Sequence, residues 1–203
     1  MNRSQFRAQL EGLDLSRSPE EEPLRNQMLA LLDSTPDCFY RSSFPAHFTS
    51  SALVLSTDGR QALLHHHRKL DRWMQFGGHA DGDEDILRVA RREALEESGI
   101  EGLEPVSPLP FDLDIHEIPE RPALGEPAHF HYDVRFLFTA PENARFAISE
   151  ESLEIRWFSL EEMVALPLSA GLRRLASKWQ NLLPGFPLRS EFTIPDFPSP
   201  TSD

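Results

Sequence analysis

Apolar residues in this chain recur with two periods, and the changes of period mark out the elements. Residues 1–18 are polar. Leu24, Met28, Leu31 and Leu32 then fall three and four apart, which is one face of a helix. Its start is signalled by Ser18 as N-cap, Pro19 at the first position and the acids Glu20, Glu21 and Glu22 in the first turn. Pro36 ends it. Ser51–Ser56 reads as a strand, Asp58-Gly59 as a hairpin turn and Gln61–His65 as the partner strand. Trp73–Phe76 is a short extended piece, and Gly77-Gly78 reads as a loop. A helix is predicted from Asp83 or Glu84 to Ser98, with Gly99 as a left-handed stop. Strands are expected at about 110–118, 129–139 and 154–158. The segment Glu120–Pro127, with Pro122 and Pro127, reads as a loop. Ser159-Leu-Glu-Glu is a capping box opening a short helix. A last helix spans about Ser169–Leu182. From Pro184 on, Pro187, Pro195, Pro198 and Pro200 predict a loose tail.

Helices and strands mixed around one sheet predict an α/β sandwich. There is no internal repeat. We expect one domain with its core at about 45–167, an N-terminal helical extension over 1–44, and a C-terminal helix with a Pro-rich tail over 168–203. The spacing in 24–32 suits packing within the chain or a homodimer interface equally.

Composition narrows the functional classes. The 203 residues are 39% hydrophobic and 26% charged, as in soluble globular proteins. The net charge of −13 argues against a nucleic-acid or anionic-membrane surface. It would also repel a phosphorylated substrate unless metal ions and local Arg, Lys and His offset the field. The single cysteine, Cys38, excludes an internal disulfide and fits a reducing compartment. Beside Phe39 and Tyr40 it reads as a buried small hydrophobe. No run approaches 18 apolar residues, and the first residues lack an apolar signal core. The expectation is a cytoplasmic protein.

The chemistry concentrates in residues 78–100. Gly78 is followed by five residues, Glu84, seven residues and then Arg92-Glu93-Ala94-Leu95-Glu96-Glu97-Ser98-Gly99-Ile100. On one helix Glu93, Glu96 and Glu97 crowd their carboxylates into one sector. Such repulsion costs roughly 0.2–0.5 kcal/mol per pair unless a cation sits among them. Hard oxygen ligands of this kind suit Mg²⁺ or Mn²⁺. The stretch resembles the Nudix box, G-x5-E-x7-R-E-U-x-E-E-x-G-U with U a bulky aliphatic. Every fixed position matches, and Ala94 is merely smaller than usual. From average residue usage, chance agreement is roughly one in 10⁹ per starting position. A solvent-exposed acidic helix would not also require Gly78, Glu84 and Gly99.

The resemblance implies the Nudix fold, an α/β/α sandwich with a mixed sheet, and hydrolysis of a diphosphate linkage in a nucleoside-diphosphate-linked compound. It also implies a small phosphorylated substrate rather than nucleic acid or membrane. A nucleotide sugar is the favoured substrate class, a nucleoside triphosphate the alternative. A non-catalytic nucleotide sensor is a third reading, although sensors usually lose box acids that are kept here. By the same resemblance Glu93, Glu96 and Glu97 are metal ligands, with the Gly77 carbonyl beside them, and Arg92 and Glu84 hold the scaffold. The base is Glu93 or a loop acid, for which Glu151, Glu150 and Glu154 qualify by position. The segment around Gly77-Gly78-His79 looks like a bacterial Nudix subgroup with Gly-Gly-His before the helix.

Other polar residues carry two readings each. In His65-His66-His67-Arg68-Lys69, Arg68, Lys69 or a histidine contacts substrate phosphates, or the run is an exposed strand end. Trp73 stacks on a base or packs. His79 follows the glycines and would lie near the metals. His129, His131 and Asp133 share one face of a strand. With His116 they form a candidate zinc set, or they line the substrate cleft.

Overall fold

The structure, a computed structural model, describes residues 1–185. Eight strands form one mixed sheet: β1 (Ala46–Leu55), β2 (Gln61–His67), β3 (Arg72–Met74), β4 (Phe76–His79), β5 (Glu104–Pro105), β6 (Asp112–Ile118), β7 (His129–Thr139) and β8 (Ser152–Ser159). Helices α1 (Arg3–Glu11), α2 (Glu22–Ser34) and α3 (Ile86–Ser98) precede β5, and α4 (Leu160–Val164) and α5 (Ala170–Leu182) follow β8. β1 runs parallel to β7 with His47 opposite His131 and Thr49 opposite Asp133. The other edge of β1 is shared, with β4 antiparallel to its first half and β2 to its end. β6 pairs antiparallel with β7, placing His116 opposite His131 and Asp114 opposite Asp133.

Alternation along the strands gives the sheet two buried faces. On one, Phe48, Val54, Leu63, Val134 and Phe136 pack against α3 through Ile86, Val89, Ala90 and Ala94. α1 and α2 join this core through Phe6, Leu10, Met28 and Leu32. On the other, Leu53, Leu55, Leu64, Leu137 and Phe158 pack against α5 through Leu172, Leu175 and Trp179.

Four differences from the sequence reading have physical reasons. Residues 1–18 include α1, because Asn2 forms a capping box with Gln5, and Phe6 and Leu10, four apart, are both fully buried. β1 begins at Ala46 rather than Ser51. Its polar first half is buried but satisfied: Thr49 Oγ1 donates to Asp133 at 3.1 Å, Ser51 Oγ donates to the same carboxylate at 2.8 Å, and Ser50 Oγ donates to the Ile86 carbonyl at 2.8 Å. Gly77-Gly78 is strand rather than loop, paired with Ser51 and Ser50. The segment Glu120–Pro127 contains a 3₁₀ turn at Pro122–Leu124. The proline-rich tail beyond residue 185 lies outside the described residues.

Between the core under α5 and the far end of β7 lies a buried ionic network. Arg135, only 4% exposed, reaches Asp133 at 2.8 Å, Asp112 at 3.1 Å and Asp114 at 2.7 Å. Arg174 of α5 pairs with Asp112 at 2.7 Å and Asp114 at 2.9 Å. Lys178 adds contacts to Asp112 and to the buried Glu21.

Candidate active site

Helix α3 positions the acidic cluster. Asp85 caps its start, accepting from the Arg88 N–H at 3.1 Å, and Gly99 ends it at φ +70°, a conformation glycine adopts without strain. The apolar stripe is buried, with Ala94 fully enclosed; a longer aliphatic there would have to displace that packing. Orienting the stripe inward turns Glu93 and Glu97, four residues apart, toward β4. Glu96 stays exposed at the rim.

Each acid of the inner pair is held. Glu97 is 7% exposed, and its Oε2 accepts from the Gly77 N–H at 2.8 Å. Burial pushes its carboxyl up to about 8; the Gly77 N–H opposes this, and Glu93, Glu151 and Glu96 add to it. Glu93 accepts from Arg92 Nη2 at 2.7 Å, and the same nitrogen donates to the His79 carbonyl at 2.8 Å. Burial raises the Glu93 carboxyl despite Arg92. A Cβ at Gly78 would overlap the Glu93 carboxylate, so this position must be glycine for the acid to lie against the strand.

The loop before β8 brings Glu151 toward the same pocket. It bears electrostatically on Glu97, and its Oε2 lies 3.8 Å from His67 Nε2. Beneath it, His65 is buried, with Nε2 at 3.9 Å from Glu97 and Nδ1 at 2.9 Å from Ser152 Oγ. Burial holds His65 down at about 4, so it is a neutral neighbour of the acids. Glu150 is exposed, and Glu154 pairs in register with His66 on the opposite face of the sheet. Among the loop acids named above, Glu151 is the one whose field reaches Glu97.

The remaining expected residues are placed elsewhere. Arg68 is committed to the carbonyls of Glu150 at 2.9 Å and Ser152 at 3.0 Å, so it anchors that loop. Lys69 is exposed in the β2–β3 turn. Trp73 stacks on His66 and meets Phe158 edge-on, on the face that carries α5 and away from the acids. Glu84 accepts from the Arg3 N–H at 2.9 Å, tying the loop before α3 to α1. A cleft of about 560 Å³ near Asp58, Asn143 and Trp157 is lined by none of the box acids.

His79 and His131 meet on the other side of β4. Their rings lie 4.9 Å apart, and His47 joins them at 5.2 Å and 5.0 Å. Asp133 does not belong to this group; it serves Thr49, Ser51 and Arg135. His47 was missed because a lone histidine ahead of the strand expected from Ser51 gave no signal; only the parallel register with β7 brings it opposite His131.

The donor set around Glu93 and Glu97 fits a hard divalent cation. It is all oxygen and partly desolvated, and burial, with a smaller contribution from neighbouring carboxylates, raises both carboxyls.

Comparison with known proteins agrees with this fold. The NUDIX domain profile matches residues 46–179, more than half of the chain. A search of curated sequences found no match. Among solved structures, a C. elegans Ap4A hydrolase in a binary complex is 20% identical with a TM-score of 0.55, covering 68% of this chain and 98% of that one. A NUDIX-family hydrolase from Clostridium perfringens is 20% identical with a TM-score of 0.52, covering 67% and 97%. The E. coli dihydroneopterin triphosphate pyrophosphohydrolase is 19% identical with a TM-score of 0.51, covering 64% and 92%. The class is therefore that of hydrolases built as an α/β sandwich, with a mixed sheet and an acidic helix. The chain belongs to the Nudix family, and is a pyrophosphohydrolase of the kind that uses a divalent metal on small phosphorylated substrates. Among the described residues no helix is long and apolar enough to cross a membrane.

The Gly78 cradle yields a direct prediction. Gly78→Ala should displace Glu93 and lower kcat by about 10–100-fold, the range typical when support for a metal ligand is lost. Steady-state kinetics of the folded variant read this; an unchanged kcat would mean that Glu93 need not lie against the strand.

Proposed function

We propose that the protein hydrolyses the diphosphate linkage of a nucleoside-diphosphate-linked compound, with Mg²⁺ or Mn²⁺ held by Glu93, Glu96 and Glu97 and the Gly77 carbonyl. The favoured class is a nucleotide sugar. One observation carries the reading: Glu97, buried and raised to about 8, is surrounded by Glu93, Glu96 and Glu151, a collection of negative charge that a divalent cation relieves. When bound, such ions neutralise the diphosphate oxygens and lower the pKa of the attacking water.

The chain's own groups divide the work. The Gly77 N–H fixes one Glu97 oxygen and leaves the other facing neutral His65. Arg92 holds Glu93 by one oxygen, so the second stays available. Glu151 is the proposed base; His67, 3.8 Å away and held down chiefly by burial, is a neutral neighbour for it. Glu96, at the rim, contributes charge without being buried.

The test is a phosphate-release screen over nucleotide sugars, dinucleoside polyphosphates and nucleoside triphosphates, with Mg²⁺, with Mn²⁺ and with chelator. Metal-dependent cleavage of nucleotide sugars well above the other classes is the expected result. Preference for triphosphates would replace the substrate class, and metal binding without cleavage of any class would favour a sensor.

A further inference from the structure

Five of the eight histidines converge on one face of the sheet, outside the proposed hydrolytic pocket: His47, His79, His116, His129 and His131. Side-chain nitrogens of His47, His79 and His131 all lie within 4.8 Å of one another. A tetrahedral zinc with Zn–N near ~2.0–2.1 Å needs its nitrogens roughly 3.4 Å apart. Small χ rotations close that difference, since the three residues stand on adjacent paired strands.

Two further observations point to a ligand. First, Nε2 of His47 and Nε2 of His131 are buried and have no hydrogen-bond partner among the described residues. An orphaned buried polar atom is destabilising, so two in one cluster call for an occupant. His47 is only 1% exposed.

Second, three of the five Nδ1 atoms, that of His47 among them, are already engaged by acceptors. His47 Nδ1 donates to the Ser43 carbonyl at 3.0 Å, His129 Nδ1 to the Pro127 carbonyl at 2.8 Å, and His116 Nδ1 to Asp114 at 2.9 Å. A donor bond at Nδ1 selects the tautomer whose Nε2 carries the lone pair, the arrangement that orients metal-ligating histidines.

His79 Nδ1 accepts from Arg41 Nη2 at 2.8 Å; Arg41 is exposed and already pairs with Asp81 at 3.0 Å, so it can turn outward as a metal enters.

We propose that His47, His79 and His131 form a second metal site, specific for a borderline transition cation, Zn²⁺, with His129 beside it as a fourth ligand. Its nitrogen donors separate it chemically from the all-oxygen cluster on α3, which takes a hard cation. It would join β1, β4 and β7 at the end of the sheet left open by α5.

The test is equilibrium dialysis of the full chain, with any affinity tag removed, against micromolar Zn²⁺ in millimolar Mg²⁺, followed by elemental analysis. One zinc per chain is expected in the parent and in Glu97→Gln and His66→Ala. Affinity should fall by at least 10-fold in His47→Ala and His131→Ala. Co²⁺ in place of zinc should give the visible absorption of a nitrogen-rich tetrahedral site in the parent. That reading stands even if a variant fails to fold, and His131→Gln supplies a milder substitution. No retained zinc and no cobalt spectrum in the parent, or undiminished binding in folded His47→Ala and His131→Ala, overturns the site. Failure of the Mg²⁺-dependent reaction leaves this result untouched, because the readout is zinc content.

Discussion

Glu97→Gln is expected to lower turnover by about 10²-fold or more while leaving the fold intact. A ligand to a charge-neutralising cation supplies several kcal/mol to a transition state, and each ~1.4 kcal/mol is tenfold in rate. The amide keeps an oxygen to accept from the Gly77 N–H at 2.8 Å, so the local packing survives. The pH dependence of stability distinguishes this residue from a passive one. In the metal-free protein Glu97 holds its proton up to about 8, against 4.5 for a free carboxyl. The folded state therefore binds a proton that the unfolded state has released. The resulting stabilisation is full below 4.5, declines across the interval and is gone above 8. Glu97→Gln removes that decline, so in chelator at pH 8–9 the variant should be the more stable protein, by an amount on the order of 3 kcal/mol. Urea unfolding against pH, with kinetics in saturating Mg²⁺, measures both. Near-parental turnover in a folded variant would sink the assignment of Glu97.

Arg135→Met should produce the largest loss of stability, about 3–5 kcal/mol. The substitution keeps the volume of the stem but leaves Asp133, nearly fully buried, without its ion-pair partner, and takes one of three cationic partners from Asp112. Arg174 and Lys178 still reach Asp112 but not Asp133. For a chain of this size the melting temperature should fall by about 6–20 °C. Adding Asp133→Asn to Arg135→Met should recover part of the loss, because it removes the unpaired charge. A single-variant cost below about 1 kcal/mol would show that solvent reaches these acids.

The parts of this architecture legible in the sequence are those whose signal is local. α3 declares itself through the spacing of Gly78, Glu84 and the acids and through the terminal Gly99, although it starts at Ile86 behind the Asp85 cap, two or three residues later than expected, and β7 coincides with the strand expected at 129–139. The box acids follow because two residues four apart must share a helical face. What escaped depends on partners distant in sequence. α1 buries Phe6 and Leu10 within an otherwise polar segment, and those two residues make a stripe only against α2 and the sheet. The first half of β1 carries Thr49, Ser50 and Ser51, whose burial is stable only because Asp133 and the carbonyls of α3 and β7 accept their hydrogen bonds, and His47, whose Nδ1 donates to the Ser43 carbonyl. Trp73 could not be assigned to a face until the pairing of β2 with β3 was known, and the histidine cluster depends on the β1–β7 register.

Gly77 makes β4 unusually thin. Its amide faces Glu97 on one side, while on the other its α-carbon abuts Ser51 so closely that no side chain would fit. Ser51 in turn leans on Asp133, and His79, two residues on, ends among the imidazoles. The backbone of β4 is thus all that stands between the acids of α3 and the imidazoles.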